Sequence, residues 1–522
     1  MNYDVAIIGG GHNGLVCGAY LAKAGLRTIV LERRDRVGGA VCTHTDLIPG
    51  YRIDVGSSVH IMIHMTPILD ELKLCTEFGL EYIEMDPWAY YPIQGTQRGI
   101  TFYRDVDRTV ESIAQVSLND ARAYRRFVTH WTELNEGVFE TFLQPPEPGR
   151  LFWTMLKRNL FAKKSRKLWS SLDTARQLMA PYGQLVHELF ENESVRSALL
   201  WLSAQSGPGP DELASGDMLG WNAMIHKSGA WRAKGGSGAL SEALERCLKH
   251  HGGKVQSASP VESLGQKQGQ WILKTPHDEI LARRVVSACH VQTLFGKLLK
   301  RPPERLTRRV MNTRVGNGFG MIVRHAVNQL PSYHEEESGV HEYHSAMQLL
   351  CPSKEHLQSS LYDYQLGHPP KNPSVVAMTF SAIDSTLAPE GKHTLFTWAQ
   401  YHPYQLQNGE KWPDIAEREA DKLYDLVCKY APNMRGQIID RYIQTPDRIE
   451  ELHGLLKGNV MHLEMSLDQM FFFRPLPEMA SYRTPLKGLY LTGASTHPGG
   501  GVFGASGRSS AHVVLKDLYK NR

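Results

Sequence analysis

The sequence predicts an α/β protein, in which a domain with a parallel sheet is assembled from three separate blocks of chain and carries an inserted α+β domain. Three glycine-rich segments predict this arrangement, because each of them precedes a helical pattern. They lie at residues 9–14, 235–238 and 499–507, and the first and last also follow a short apolar strand pattern. Strands that alternate with helices favour a parallel sheet whose faces are covered by helices.

The first block reads as a strand, a glycine turn, a helix and a second strand. Residues 3–8 form a β-branched run that is typical of a buried parallel strand and leads directly into G-x-G-x-x-G at residues 9–14. A helical stretch follows over residues 15–24, and a second strand pattern covers residues 28–31. Glu32 stands at the carboxyl end of that second strand. This order predicts a Rossmann-type unit.

Each part of this unit has a physical task in holding a dinucleotide. Gly9 permits a tight turn, Gly11 lets the backbone approach a pyrophosphate, and Gly14 lets the helix pack closely on the strand. The helix N-terminus offers free N–H groups and the positive end of its dipole to the pyrophosphate. Glu32 is placed to accept hydrogen bonds from the adenosine ribose. The combination predicts a dinucleotide site.

The residues after Glu32 indicate which dinucleotide binds. Basic Arg33 and the pair Gly38-Gly39 continue the site as in FAD enzymes, whereas plain NAD dehydrogenases do not usually carry this continuation. The alternative interpretation is a charged loop with a glycine turn. An alternating pattern over residues 51–58 predicts a strand that ends in a Gly-Ser turn. The predicted cofactor contacts of this block are Gly9, Gly11, His12, Asn13, Gly14, Glu32, Arg33, Gly38, Gly39, Ala40, Gly56 and Ser57.

The second and third blocks contribute the remaining predicted contacts. After the glycines at 235–238 a helix is predicted, followed by strands over 254–264 and 282–288. In this block Val261 is predicted to place its backbone against the adenine side of the flavin nucleotide. The third block is a strand over 488–494, the glycine-rich loop and a helix over 508–519. Its predicted contacts are Gly493, Gly500, Gly501 and Val502.

Composition and absent motifs exclude several function classes. The 522 residues carry 58 basic and 54 acidic side chains, so the net charge of +4 gives no whole-chain signature of nucleic-acid binding. No second G-x-G-x-x-G with its strand and acid occurs, which argues against a dedicated NAD(P)H domain. Seven scattered cysteines without a C-x-x-C pair argue against disulfide reductases, structural zinc and a disulfide framework. We therefore expect no metal and a cytoplasmic location, without a cleaved signal peptide or a transmembrane helix.

A basic and aromatic stretch at residues 151–170 follows the clearest break in the chain, the proline-rich residues 145–149. Its composition suits contact with an anionic membrane surface, and a solvated basic face is the alternative. We predict an FAD-binding domain made of residues 1–65, 233–300 and 455–522. Residues 66–232 and 301–454 are then the substrate domain, which also faces the membrane.

Three blocks, at residues 4–58, 233–293 and 455–514, resemble the phytoene-desaturase-type carotenoid oxidoreductase family of FAD proteins. Within that family the chain is most similar to the bacterial and cyanobacterial carotenoid 4-ketolases, including those of the Deinococcus type. The segments that carry this closer resemblance are residues 315–321, 458–470, 474–475 and 491–501. A vertebrate mitochondrial protein with a pyridine-nucleotide-disulfide-oxidoreductase domain shares the His-Pro-Gly-Gly-Gly pattern and is the nearest rival. One departure is Gly493-Ala494, where many flavoproteins have Gly-Asp.

The resemblance implies FAD as cofactor, a hydrophobic carotenoid as substrate and a 4-keto product from β-carotene or a related carotenoid. Desaturation or isomerisation of a carotenoid, and a flavin-binding regulatory protein without turnover, are the alternatives. The oxygen atom of a ketolase product comes from O₂ or from water. Among the histidines of these blocks, His497 in the glycine-rich loop is the predicted catalytic group, and a structural histidine bonded to backbone is the alternative. His60 and His64 are too few ligands to predict a metal site.

Overall fold

The computed structural model describes residues 2–146, 149, 168–334, 339–407 and 409–519. Of the basic and aromatic stretch, residues 151–167 lie outside this described part. The helices in it are α1 (His12–Lys23), α2 (Ile68–Glu71), α3 (Val106–Ala114), α4 (Leu118–Phe142), α5 (Leu168–Met179), α6 (Tyr182–Leu189), α7 (Glu193–Ala204), α8 (Gly216–Ser228), α9 (Gly238–His250), α10 (Val291–Thr293), α11 (Glu304–Met311), α12 (Lys354–Gln365), α13 (Trp412–Tyr430), α14 (Pro446–His453) and α15 (Ala505–Tyr519).

The strands of the described residues form two large sheets and two short antiparallel pairs, Thr43–His44 with Ile53–Asp54 and Tyr82–Met85 with Ala230–Ala233. They are β1 (Asn2–Ile8), β2 (Thr28–Leu31), β3 (Thr43–His44), β4 (Ile53–Asp54), β5 (Tyr82–Met85), β6 (Ala89–Pro92), β7 (Gly99–Phe102), β8 (Ala230–Ala233), β9 (Lys254–Gln256), β10 (Ser263–Lys267), β11 (Gln270–Lys274), β12 (Glu279–Ser287), β13 (Gly320–Val327), β14 (Met347–Leu350), β15 (Val375–Met378), β16 (His393–Gln400), β17 (Ile438–Gln444) and β18 (Leu489–Leu491).

The first sheet is the predicted Rossmann-type layer, and it draws strands from three separate regions of the chain. Its order is β10-β11-β12-β1-β2-β9, with β18 beside the second half of β12. Strands β18, β12, β1, β2 and β9 run parallel, and β10 and β11 add an antiparallel edge. Helix α1 packs between α9 and α15 in one apolar core on this sheet. The predicted α/β fold class is confirmed.

The second sheet has the order β17-β13-β16-β15-β14-β6-β7, with mostly antiparallel pairing. Its strands come from residues 89–102 and 320–444, and helices α4 to α8 pack in the core beside it. This is an α+β arrangement, as expected for the inserted region, while the domain boundaries themselves stay a prediction. In the part of the chain covered by the structure, no helix is both long enough and apolar enough to cross a bilayer.

Several predicted elements have different bounds in the structure. The strand predicted over 51–58 pairs only at Ile53–Asp54, because the backbone then turns to follow residues 40–42 through the hydrogen bonds of Val55 and Ser57. The strand predicted over 254–264 is two strands, divided where Ala258 adopts a φ of 49° and Pro260 lacks an N–H donor. Strand β12 begins three residues before the predicted 282, and helix α15 begins at Ala505 instead of 508.

Candidate active site

The central cavity, of about 820 Å³, lies at the carboxyl ends of the parallel strands of the first sheet. Ile8 ends β1, Leu31 ends β2 and Ala288 follows β12, and all three line it. In open parallel sheets this edge is where ligands bind, because the loops that leave the strands diverge there and leave a crevice. The position therefore matches that of a nucleotide site.

The glycines of the first turn divide into those that permit packing and one that leaves space. A Cβ on Gly14 would lie 2.1 Å from the Gly9 carbonyl oxygen, so helix α1 can approach β1 only without a side chain there. Gly9 itself has a φ of 99°, which favours glycine. A Cβ on Gly11 would meet only the Gly39 Cα, at 4.0 Å, and Gly11 lines the cavity. Its open face is where backbone and pyrophosphate would come together.

Glu32 is fixed at the cavity wall by backbone amides. Its Oε2 accepts a hydrogen bond from the Gly10 N–H at 2.7 Å, and its Oε1 accepts one from the Arg34 N–H at 3.0 Å. The carboxylate is therefore oriented before any ligand arrives, and it retains lone pairs for a ribose. Arg33 donates to the carbonyl oxygens of Glu451 and Leu452, at 3.2 Å each, which ties this wall to the last turn of α14.

The remaining cofactor contacts that the sequence predicts converge on the same cavity, with one exception. Arg33, Val261 and all the others in the first and second blocks line it, as do Gly493, Gly501 and Val502 of the third. Gly500 does not line it. A Cβ on Gly500 would lie 2.5 Å from the Met461 Sδ, so the absence of a side chain there lets the glycine-rich loop pack on its neighbour.

His497 does not line the cavity, and its catalytic role stays a prediction. It is fully buried, and its Nε2 donates to the Thr141 carbonyl oxygen at 3.1 Å. The ring packs edge-on against Phe142, with 5.5 Å between centroids. Burial lowers the pKa of His497 to about 4, so the ring is neutral near pH 7. This geometry supports the structural alternative, because the ring joins the third block to α4.

The structure brings other histidines to the cavity. His12 is a cofactor contact that the sequence predicts, His462 is one of the candidate polar groups in the sequence, and His290 is not singled out by the sequence. His290 follows β12, and its Nε2 donates to the His462 carbonyl oxygen at 3.0 Å, since its Nδ1 accepts the Gln292 amide. His462 stacks on it and bonds Ser495 Oγ through Nδ1 at 2.9 Å. His12 also lines the cavity, and burial lowers its pKa to about 4. The sequence feature that could have pointed to His290 is its position just after a predicted strand, but no motif includes this residue.

His60 and His64 do not converge on one point. His60 Nδ1 is hydrogen-bonded to the Tyr82 hydroxyl at 2.9 Å, whereas the His64 ring stacks on Trp231 with centroids 4.8 Å apart. Across the described ranges, no group of three or more His, Cys, Asp or Glu side chains is arranged to hold a metal ion. Each of the two histidine rings packs edge-on against Tyr82.

The second sheet closes the cavity with an apolar wall. We give this name to the side chains of strands β13 to β16 that line the cavity: Ile322, Met347, Val376, Met378, Phe396 and Trp398. Cross-strand pairing places them side by side, since Trp398 is opposite both Ile322 and Val376. The Trp398 indole N–H is buried without a hydrogen-bond partner. No sequence motif predicted this wall, because its residues are ordinary strand residues from the middle of the chain.

A strand-end crevice, an open glycine face, a helix N-terminus and a fixed acid fit a dinucleotide, and the apolar wall beside them fits a reacting apolar molecule. Together they define a dinucleotide-dependent oxidoreductase. The family model of flavin containing amine oxidoreductases matches residues 14–324, and the chain belongs to this family. FAD is therefore the cofactor, and the protein is an FAD-dependent oxidoreductase with distant relatives among the carotenoid desaturases.

Three curated relatives match the chain along nearly all of its length. Pyridine nucleotide-disulfide oxidoreductase domain-containing protein 2 of Rattus norvegicus is 30% identical, covering 99% of this chain and 94% of its own. A limonene dehydrogenase polypeptide of Castellaniella defragrans is 27% identical, with 99% and 95% covered. The lycopene-forming phytoene desaturase of Pantoea ananas is 26% identical, with 98% and 99% covered.

Solved structures share the fold at much lower identity. An oxidoreductase from Methanosarcina mazei superposes with a TM-score of 0.60 at 15% identity, covering 99% of this chain and 100% of its own. A triple mutant of putrescine oxidase gives a TM-score of 0.61 at 16% identity, covering 100% and 99%. These likenesses establish the architecture of the two sheets.

Proposed function

We propose that this FAD-dependent oxidoreductase oxidises a carotenoid, and that it is a ketolase which introduces a 4-keto group on the β-ionone ring of β-carotene or a related carotenoid. The observation that carries the proposal is the single cavity in which the apolar wall faces the cofactor-binding glycines. A substrate held there lies next to the cofactor without any charged side chain being required to bind it.

An apolar wall suits a substrate that has no ionisable group. Affinity then comes from buried apolar area, at roughly 25 cal/mol per Å². When bound, FAD supplies a two-electron acceptor that takes a hydride from an adjacent C–H bond. The protein's own residues orient the ring and exclude water, tasks to which Ile322, Phe396 and Trp398 are suited by size and position. The unpartnered Trp398 N–H is available to an oxygen atom on the ring.

Relatives with named substrates support an apolar isoprenoid. Their names refer to limonene, 4,4'-diapolycopen-4-al, phytoene and all-trans-retinol, which are all isoprenoids. The choice of ketolation over desaturation or isomerisation rests on the resemblance of residues 458–470 and 491–501 to the carotenoid 4-ketolases. Ketolation is a four-electron oxidation of a CH₂ group that also inserts one oxygen atom.

A second candidate is a flavin-binding regulatory protein that turns over no carotenoid. The 30% identity with pyridine nucleotide-disulfide oxidoreductase domain-containing protein 2 of rat and mouse favours this candidate, because it exceeds the identity with the limonene, diapolycopenal and phytoene enzymes. The two candidates differ in one observable, since the enzyme alters the pigment of a host that supplies carotenoid and the regulatory protein does not.

We further propose that the protein collects its substrate at an anionic membrane surface on the cytoplasmic side. The basic stretch supplies Lys157, Arg158, Lys163, Lys164, Arg166 and Lys167. Apolar side chains lie exposed just beyond it, with Leu172 and Met179 on α5 and Leu213 beside the end of that helix. Sedimentation with phosphatidylglycerol vesicles, and not with phosphatidylcholine vesicles, is the expected result. Equal recovery in the supernatant with both would contradict this proposal.

The test of the ketolase is pigment analysis of a β-carotene-producing bacterium that expresses the chain. Echinenone or canthaxanthin, identified by chromatography and mass spectrometry, is expected with the native chain. The control is Gly11→Val, whose side chain fills the open glycine face, and it should leave β-carotene unchanged. Unchanged β-carotene from FAD-loaded native protein would overturn β-carotene ketolation. In that case, desaturated or isomerised products in a host that supplies acyclic carotenoids would point to the alternative enzymes.

A further inference from the structure

A linear chain of hydrogen bonds leads from the cavity into the protein. Ser57, which lines the cavity, has its Oγ 2.6 Å from the Ser237 Oγ. Ser237 Oγ is in turn 2.6 Å from the His60 Nε2, and His60 Nδ1 is 2.9 Å from the Tyr82 hydroxyl. Ser57 and His60 follow β4, Ser237 precedes α9, and Tyr82 begins β5. Three separate regions of the polypeptide therefore build this chain of hydrogen bonds.

The two middle residues, Ser237 and His60, each form one hydrogen bond to the residue before and one to the residue after them in this series. A neutral imidazole carries one donor nitrogen and one acceptor nitrogen, and a hydroxyl both donates and accepts. The chain therefore has two complete arrangements. In one, Ser57 donates to Ser237, Ser237 donates to His60 Nε2, and His60 Nδ1–H donates to Tyr82. In the other, every one of these hydrogen bonds is reversed and His60 is the other tautomer.

Burial keeps the middle of the chain dry and neutral. Ser237 and His60 are fully buried. Tyr82 at the far end is partly exposed as a residue, but burial raises the pKa of its hydroxyl far above the usual range, so Tyr82 releases a proton only as it gains one from His60. Burial holds the pKa of His60 well below its usual range, and the nearby Arg232 acts in the same direction. His60 therefore stays neutral at rest, which is the form that can pass a proton through its two nitrogens. The His60 backbone is fixed as well, since its N–H donates to the Trp231 carbonyl oxygen at 2.7 Å.

We propose that Ser57, Ser237, His60 and Tyr82 form a proton relay between the cavity and the exterior. The inference rests on the flavin-dependent oxidation proposed above and does not depend on which substrate is oxidised. Removal of two hydrogens from a substrate sends one as a hydride to the bound FAD and leaves one proton. That proton binds to Ser57 Oγ, and Ser57 passes its own hydroxyl proton to Ser237. Ser237 then protonates His60 Nε2, His60 Nδ1 gives its proton to the Tyr82 oxygen, and Tyr82 releases its original hydroxyl proton at the far end.

The same chain works in reverse when the flavin is reduced without substrate, because the reduction then takes up one proton from solvent. This allows a test that is independent of carotenoid chemistry. FAD-loaded protein is reduced by flash photolysis of deazaflavin, and a pH-indicator dye reports proton uptake while the visible absorbance reports flavin reduction. In the native protein we expect proton uptake to keep pace with reduction.

Ser237→Ala removes the central hydroxyl, and Tyr82→Phe removes the terminal one while keeping the ring. We expect either change to delay proton uptake by roughly a hundredfold relative to electron arrival. The matched control is Ser241→Ala on the same helix, because the Ser241 hydroxyl is also buried but donates to the Val41 carbonyl oxygen, outside the chain. It should behave as the native protein.

Native uptake rates in FAD-loaded Tyr82→Phe would overturn the relay, as would an equal delay in Ser241→Ala. Tyr82→Phe is decisive if Ser237→Ala fails to fold, since it alters only the partly exposed end of the chain. Failure of the carotenoid proposal has a different signature, because β-carotene would then remain unchanged while the photoreduction experiment still shows uptake through the chain.

Discussion

The Glu32 carboxylate and the Gly10 amide are joined by a hydrogen bond of 2.7 Å, which fastens the acid at the end of β2 to the glycine turn that follows β1. The Arg34 amide holds the other carboxylate oxygen. Two features that the sequence places far apart are thus one rigid unit. The acid that is predicted to bind the ribose is oriented by the same turn that leaves open space at Gly11 for the predicted pyrophosphate contact.

Glu32→Gln should weaken FAD binding. The Glu32 carboxylate accepts hydrogen bonds from the Gly10 and Arg34 backbone N–H groups. The NH₂ group of glutamine would face one of these two N–H groups, so that backbone donor would lose its acceptor. We expect a loss of about 1–3 kcal/mol in the free energy of FAD binding. Titration of the apoprotein with FAD, followed by flavin fluorescence, measures this loss. The exposed Glu262→Gln is the control, and a native dissociation constant for Glu32→Gln would contradict the assigned role.

Gly11→Ala and Gly14→Ala should separate cofactor binding from stability. Gly11 has φ −65° and ψ 164°, which any residue adopts, and its Cβ would have open space, so Gly11→Ala should fold normally and lose FAD. Gly14→Ala forces a methyl group against the Gly9 carbonyl oxygen and should cost about 1–3 kcal/mol of folding free energy.

Flavin content of the purified proteins and urea unfolding of their apo forms distinguish the two variants. Equal destabilisation of both apoproteins would show that Gly11 is a packing glycine and not a binding one.

Asp54→Asn should destabilise the fold strongly. The buried Asp54 carboxylate lies 2.7 Å from the Arg232 guanidinium, and its backbone carbonyl accepts from Arg324, which is also buried. Loss of the negative charge leaves two buried cations uncompensated, which we expect to cost about 3–5 kcal/mol. The exposed pair Lys234–Glu81 offers the control, because Glu81→Gln should cost less than about 1 kcal/mol. Urea midpoints that shift equally would refute this account of Asp54.

Acidification should destabilise the protein between pH 6.5 and 4. His402 is buried with Nδ1 donating to the Gln400 carbonyl oxygen, and burial lowers its pKa to about 4. An unfolded histidine has a pKa of about 6.5, so in this window the unfolded chain binds a proton that the folded chain does not. Stability therefore falls as pH falls, by up to about 1.4 kcal/mol per pH unit for this one group, and the effect is absent above pH 6.5.

His402→Gln should reduce the slope of unfolding free energy against pH in this window, whereas the exposed His277→Gln should leave it unchanged. Unfolding curves at several pH values measure both slopes. The same slope in His402→Gln and the native protein would mean that His402 is charged in the folded state.

The first sheet, and the gathering of the predicted contact residues around one cavity, were predictable because local chemistry dictates them. Gly14 must be small to let α1 reach β1, and Glu32 must follow a strand, so the residues themselves reveal their neighbours. The apolar wall was not predictable, since Ile322 and Trp398 become neighbours only through pairing of β13 with β16. That His497 does not line the cavity was not predictable either, because a glycine-rich loop has two sides and the sequence does not tell which side faces the cavity.

The most direct test of the central claim is anaerobic mixing of purified FAD-loaded protein with β-carotene in vesicles. The proposal predicts loss of the flavin's visible absorbance together with an oxidised carotenoid detected by mass spectrometry. Neither change should occur with Gly11→Ala protein, which lacks the cofactor. A flavin that stays oxidised in the native protein, with β-carotene recovered intact, would contradict the claim that β-carotene in this cavity is oxidised by hydride transfer to FAD.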